Sequence, residues 1–199
     1  MSPPRAALGQ IELFPPKPDL PPGFAYGEDV ITTAEERALA EQVSRLPFRP
    51  FEFHGYLGKR RVASFGWRYD YSARTVRPAA PLPPFLLPLR ERAAHFAGRA
   101  PESLEHILVT EYAEGAGIGW HRDKAEFADV VAVSLLAACI LRLRRKDGRG
   151  WQRAAQRIAP RSAYLLRGAA RSHWEHSIPP LDRLRYSVTF RSLADRAGT

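Results

Sequence analysis

Between Leu104 and Arg191 the chain breaks into short runs that alternate apolar and polar residues. The runs are Ile107–Tyr112, Val130–Leu136, Cys139–Leu143, Arg157–Ala159, Ser162–Leu166, Trp174–Ile178 and Arg185–Arg191. Gly, Pro or charged residues separate them, the punctuation of strands joined by turns. No run is long enough for an ordinary helix, so this half must be a sheet structure. A sheet with an apolar face has to close on itself or find a second layer. The expected fold class is α+β, mainly β: a barrel or sandwich with helices packed outside.

The helices come from the first half. Residues 1–30 are rich in proline (Pro15, Pro16, Pro18, Pro21, Pro22) and read as an irregular arm. Thr32 and Glu35 have capping-box spacing, and Ala38, Leu39, Gln42, Val43 and Leu46 follow at helical intervals. Pro47 and Pro50 end that helix. Residues 51–77 alternate as strands around Gly55 and Gly58, the pattern of a hairpin. The segment Arg77 to Pro88 is proline-rich connector, and a second helix runs from about Phe85 to Phe96 and stops at Gly98. One domain is expected over 31–191, with a strand core over about 104–191 and a frayed tail over 192–199.

In 199 residues one well-buried domain fits and two do not. Lys and Arg number 30 against 21 Asp and Glu, a formal charge of +9, with a sequence pI near 10.2. Such a balance favours an anionic partner, nucleic acid first. The single Cys139 lies in an apolar run and reads as a buried structural thiol, so no intramolecular disulfide is expected. No apolar stretch spans a bilayer and no signal peptide is evident, so a cytoplasmic monomer without membrane contact is expected.

Three clusters carry candidate chemistry. On a strand, residues i and i+2 share a face, so His121 and Asp123 of His121-Arg122-Asp123 can converge on one cation. One imidazole and one carboxylate suit iron(II), which needs a further ligand for a facial triad. In Trp174-Glu175-His176-Ser177-Ile178 the imidazole of His176 shares a face with Trp174 and Ile178, while His173 has the opposite parity. The apolar flanks favour His176 over His173 as a ligand, and they suit a core histidine as well. In Arg185-Tyr186-Ser187-Val188-Thr189-Phe190-Arg191 the two arginines share a face and stand about 20 Å apart. Buried unpaired they would be costly, and a dicarboxylic acid between them would satisfy both. An edge strand with solvated arginines is the plainer alternative.

The order of these pieces, His-x-Asp, a distant His, and nine residues on an Arg-x5-Arg pair, resembles the AlkB-type dioxygenases. Thr110-Glu111-Tyr112, Gly115 and Ile118 upstream, and Pro160-Arg161-Ser162-Ala163-Tyr164 with Gly168 downstream, extend the resemblance over about residues 50–191. It implies a double-stranded β-helix (jelly-roll) core with an N-terminal nucleotide-recognition lid over about 51–77. It implies iron(II), 2-oxoglutarate and dioxygen as cofactors. His121, Asp123 and His176 would be the metal ligands and catalytic residues. Tyr112, Arg185, Ser187 and Arg191 would contact 2-oxoglutarate. One departure stands out: the family's Asn two residues before the Tyr is Thr110 here.

The activity this resemblance implies is oxidative demethylation of an N-alkylated base, of the 1-methyladenine or 3-methylcytosine type, in DNA or RNA. Those methyl groups sit on pairing edges, so the base must be single-stranded or flipped. In the segment Lys59 to Tyr71, Phe65, Trp67, Tyr69 and Tyr71 share one strand face behind Lys59, Arg60 and Arg61. Aromatics that stack a base and cations that hold its phosphates make Trp67, Tyr69, Arg61 and Arg122 the substrate candidates. An aromatic core stripe is the alternative. Arg142, Arg144, Arg145, Lys146 and Arg149 form a second cationic cluster, either for phosphate contact or as a solvated hairpin. Two other functions stay open. One is a transfer-RNA nucleotide hydroxylase or demethylase, to whose branch Arg60-Arg61-Val62 followed by Phe65-Gly66 is similar. The other is a nucleic-acid-binding module without catalysis.

Overall fold

The computed structural model describes residues 20–53, 56–70 and 75–194. Strands are numbered in chain order. A seven-stranded sheet runs β1 (Phe24–Gly27), β11 (Ala163–Leu166), β8 (Phe127–Leu136), β13 (Arg185–Leu193), β6 (His106–Tyr112), β3 (Tyr56–Phe65), β2 (Arg49–Phe53). A four-stranded sheet runs β10 (Gly150–Ile158), β9 (Cys139–Asp147), β12 (Glu175–Ile178), β7 (Ile118–His121). The strand pairs within both sheets are antiparallel. A small hairpin, β4 (Trp67–Asp70) with β5 (Thr75–Pro78), stands apart. This is the jelly-roll arrangement, mainly β with helices outside.

The strand alternation of β13 decides how the layers meet. Tyr186, Val188 and Phe190 face one way and join a core with Leu39 and Val43 of α1 (Thr33–Ser44) and Leu89, Ala93 and Ala97 of α2 (Leu87–Ala97). The opposite face of the large sheet, through Tyr112, Val130, Ala132 and Tyr164, meets Leu141, Leu143, Trp174 and Ile178 in a second core. The large sheet is thus buried on both faces, while the small sheet has one face left for solvent. α1 begins as its capping box dictates. The Thr32 hydroxyl accepts from the Glu35 amide at 3.2 Å, and the Thr32 amide donates to the Glu35 carboxylate at 2.7 Å. α2 follows a short 3-10 turn at Pro84–Leu86 and ends at Gly98.

Several expectations need correction. Residues 1–19 of the proline-rich arm lie outside the described residues, but Phe24–Gly27 is an edge strand paired to β11 rather than irregular arm. Within the segment 51–77 expected as a lid, β2 and β3 extend the large sheet, with β3 paired to β6, and β4 and β5 form the small hairpin. The turn at Gly55 lies outside the described residues, as does Tyr71. The aromatic stripe from Phe65 to Tyr69 is not one strand face either. Gly66 takes a φ of +72°, and a Cβ there would sit 2.0 Å from the Glu105 carbonyl oxygen, so β3 ends and β4 starts in a new direction. Phe65 is core, whereas Trp67 and Tyr69 are half-buried. The run expected at Arg157–Ala159 is the end of a nine-residue strand, β10. Residues 192–193 are not frayed: they end β13, and the buried Ser192 hydroxyl accepts from the Asp129 amide at 3.0 Å.

Candidate active site

Pairing of β12 with β7 sets His176 directly opposite His121, with ring centroids 4.2 Å apart. Gly117 makes the close crossing possible, because a Cβ there would lie 2.7 Å from the Ile178 carbonyl oxygen. His176 is buried on the inner face among Trp174, Ile178 and its register partner Leu143, whereas His173 is exposed. Asp123 reaches the histidines by a different route from the one strand parity suggested. β7 ends at His121, and the chain turns so that Asp123 Oδ2 lies 3.7 Å from His176 Nε2. Two arginines fix that turn. Arg171, on the short α3 (Gly168–Ser172), donates to the carbonyls of Lys124 and Phe127. Arg191 places Nε at 2.9 Å and Nη2 at 2.8 Å from Asp123 Oδ1.

The protonation states suit a divalent metal. Burial, aided by the neighbouring His121, pushes His176 down to about 3, and burial lowers His121 as well. Both rings are therefore neutral near pH 7. His121 Nδ1 faces the Gly119 carbonyl at 2.9 Å, so the ring proton sits there and Nε2 keeps its lone pair. Burial would raise Asp123, but the Arg191 guanidinium holds it below its ordinary value, so it is ionised. As they stand, no three such donors among the described residues converge tightly on one point. Asp123 turns its Oδ1 to Arg191. Its Oδ2 is buried without a hydrogen bond and faces His176. Two neutral imidazoles and an ionised carboxylate with one orphaned oxygen fit an iron(II) facial triad.

The second half of the site is Arg185. It is fully buried, and its Nε donates to Ser134 Oγ at 3.0 Å. Its guanidinium lies 5.2 Å from the ring centre of Tyr112, its register partner across β6. Nη1 and Nη2 are buried with no acceptor. A pair of parallel N–H donors without a partner is the shape a carboxylate fills, and a fully buried guanidinium needs an anion. Ser187 shares this inner face, opposite Thr110 and Ser134. Burial raises the Tyr112 phenol, so it keeps its proton.

The structure departs from the bracketing arrangement expected of the two arginines. Arg191 is engaged by Asp123, and its Nη1 also lies 3.2 Å from His106 Nδ1. Of the two arginines, Arg185 is the one with orphaned donors. Of the substrate candidates, Arg61 is held by Glu111 in a two-point ion pair at 2.7 and 2.8 Å. Arg122 is exposed, with Nη1 at 3.2 Å from the Ser172 carbonyl at the end of α3. It lines an open cavity of about 750 Å³ with Asp123, Lys124 and Arg171. Lys124 places its ammonium 4.9 Å from the Tyr69 ring centre, which brings β4 to the rim beside Asp123. Sequence reasoning missed Ser134, Arg171 and His106. Ser134 had a signal, a lone hydroxyl within an apolar run, and His106 is legible only once its register with Arg191 is known.

Most of the chain is similar to known proteins. A family model described as the 2OG-Fe(II) oxygenase superfamily matches residues 30–191. An Arabidopsis thaliana protein named "Alkylated DNA repair protein ALKBH8 homolog" is 31% identical, over 86% of this chain and 55% of its own length. A Mus musculus protein named "tRNA (carboxymethyluridine(34)-5-O)-methyltransferase ALKBH8" is 28% identical, over 86% of this chain and 27% of its own length. The chain thus spans about half or less of these relatives. In fold it matches the structure of OsALKBH1, with a TM-score of 0.64 at 17% identity, covering 87% of this chain and 98% of that one. It also matches a Pseudomonas putida prolyl-4-hydroxylase, with a TM-score of 0.60 at 14% identity, covering 86% and 93%. The chain belongs to the 2OG-Fe(II) oxygenase superfamily, in its AlkB-like division, and is a dioxygenase that uses iron(II), 2-oxoglutarate and dioxygen.

Proposed function

We propose that this enzyme hydroxylates a carbon substituent on a neutral or anionic base of RNA, a modified uridine of transfer RNA first among them. His121, Asp123 and His176 hold the iron(II), and Arg185, with Tyr112 and Ser187, holds the far carboxylate of 2-oxoglutarate. When bound, these cofactors turn dioxygen and 2-oxoglutarate into succinate and carbon dioxide, with one oxygen atom passing to the substrate carbon–hydrogen bond. The chain's own residues do the positioning. Arg191 and Arg171 hold Asp123 and its turn, and Leu143, Trp174 and Ile178 wall the site against water.

The observation that carries the substrate reading is Lys124 over Tyr69. A cationic base such as 1-methyladenine stacked on that ring would stand close to an ammonium that already engages it. Arg122 lines the same cavity as Lys124. A neutral or anionic base meets attraction instead. The names of relatives from Mus musculus, Macaca fascicularis and Xenopus tropicalis support the same reading, since they specify carboxymethyluridine at transfer-RNA position 34. That base carries a methylene next to an anionic carboxylate. The name of the Arabidopsis relative supports a second reading, demethylation of alkylated DNA.

One experiment separates the two. The iron-loaded protein is incubated with transfer RNA bearing carboxymethyluridine and with oligonucleotides bearing 1-methyladenine or 3-methylcytosine. The expected result is gain of one oxygen atom on the uridine with coupled succinate release. Formaldehyde from the methylated oligonucleotides, with the uridine unchanged, would replace the first reading by the second.

A further inference from the structure

The four-stranded sheet carries a feature that the catalytic site does not use. Its inner face holds His176, Leu141 and Leu143. On its outer face, β9 presents Arg142, Arg144 and Lys146 at alternate positions, about 6.7 Å apart along the strand. Across β10, the register places Trp151 beside Lys146, Arg153 beside Arg144 and Arg157 beside Ile140. Across β12, Glu175 stands beside Arg144 and Ser177 beside Arg142. Five cations therefore share this face with one carboxylate, and Glu175 is already paired to Arg144 at 2.7 Å.

Three of the cations, Arg142, Arg144 and Lys146, are held by neighbours. Trp120 of β7 lies under two of them, with guanidinium-to-ring distances of 5.2 Å from Arg142 and 4.3 Å from Arg144. Trp151 lies under the next pair, 4.2 Å from Arg144 and 5.2 Å from Lys146. The result is a continuous ladder, Arg142–Trp120–Arg144–Trp151–Lys146. Arg142 is further tied by Nε to Ser177 Oγ at 3.1 Å. Arg142, Lys146, Arg153 and Arg157 are nonetheless exposed, and both indoles are partly so. Solvated lysines and arginines lose rotamer freedom when they bind an anion. Here the rings hold them extended beforehand, and the exposed ring edges offer stacking surface.

A regular row of preordered cations with interleaved aromatics matches a chain of phosphates. We propose that this outer face is a docking surface for the sugar-phosphate backbone of the RNA whose modified base enters the active site. The inference rests on the nucleic-acid reading of the site and adds a location to it. The ladder begins at Trp120, next to His121 in the chain, and runs away from it across β12, β9 and β10. A base bound at iron and a backbone bound on the ladder would thus belong to one ligand, held at two places.

The test is binding of an unstructured single-stranded RNA oligonucleotide by fluorescence anisotropy across a salt series. Three proteins are compared: the unaltered chain, Arg142→Gln with Lys146→Gln, and a charge-matched control, Arg37→Gln on α1 with Arg45→Gln at its C-cap. Loss of two phosphate contacts should flatten the slope of log affinity against log salt by about 1.4, and the control should keep the original slope. Trp151→Leu gives an independent arm. It keeps every charge but removes the ring under Lys146 and one of the two rings against Arg144, so affinity should fall while the slope stays. RNA-independent turnover of 2-oxoglutarate should be equal in all of them. If the ladder variant and its control bind alike while the unaltered chain binds RNA, the docking surface is overturned and the proposed function stands. If the unaltered chain binds no RNA at any salt concentration, both fall together.

Discussion

Arg191 donates Nε to Asp123 Oδ1, with Nη2 2.8 Å from the same oxygen, and leaves Oδ2 buried and without a hydrogen bond 3.7 Å from His176. One arginine thus aims a carboxylate at two imidazoles, while the other arginine of the strand, Arg185, keeps two buried donors unfilled. The two residues look equivalent in sequence and have different partners in the fold.

They should fail differently. Arg185→Lys removes the two-point carboxylate contact and leaves Asp123 untouched, so the Michaelis constant for 2-oxoglutarate should rise with iron affinity retained. Arg191→Met removes the counter-charge of Asp123 and should weaken iron binding itself, by roughly the 10- to 100-fold typical of an outer-shell partner. Iron titration and succinate assays on both variants check this. Iron loss in the Arg185 variant, with unchanged iron binding in the Arg191 variant, would reverse the assignment.

The two histidines of the β12 region give a second contrast. His176 is buried opposite His121, whereas His173 is exposed at the end of α3. Substituting His176 by Ala should abolish succinate production, and His173→Ala should leave most of it. Equal loss in both variants would count against His176 as the ligand.

Where the signal was local, features of the fold and the strand parity of the candidate site were legible in the sequence. The Thr32–Glu35 box needed four residues, and the inward parity of Arg185 and Arg191 needed only the period of a strand. Other features depended on contacts far away in the chain. Asp123 seemed to share a strand with His121, yet the strand stops, and the turn is held by Arg191, 68 residues on, and by Arg171. β1 is only four residues next to prolines, too short for alternation to show. β10 was seen only at its end because its outward positions are Trp151, Arg153, Ala155 and Arg157, a solvent-facing pattern with little apolar contrast. The single-face reading of Phe65, Trp67 and Tyr69 failed because Gly66 turns the backbone between them.

That turn sharpens a third expectation. With Phe65 in the core and Trp67 beyond Gly66 half-buried, Trp67→Ala should cost about 1–3 kcal/mol of base stacking and little stability. This corresponds to roughly 5- to 150-fold weaker use of the nucleic-acid substrate. Turnover of 2-oxoglutarate without substrate should continue at its ordinary rate. Parallel loss of both activities together with a lowered melting temperature would make Trp67 a core residue instead.

The last expectation concerns acid. His106 is buried at the start of β6, against the Phe127 ring at 4.6 Å, and its Nδ1 faces Arg191 Nη1. An arginine only donates, so His106 Nδ1 accepts, and the ring is neutral with its proton on Nε2. Burial first, and Arg191 second, hold its pKa well below 6.5. In the unfolded chain the same imidazole titrates near its ordinary value, about 6.5. Below that pH the unfolded state takes up a proton that the folded state refuses. Stability must therefore be full above about pH 6.5 and fall as the pH drops toward the depressed folded value. Replacing His106 by Asn keeps an acceptor for Arg191 but removes the titration. Denaturant midpoints of the chelator-treated protein at pH 7.5 and pH 5 should converge in the His106→Asn variant relative to the unaltered chain. If the variant loses as much stability between the two pH values as the unaltered chain, the acid sensitivity resides elsewhere.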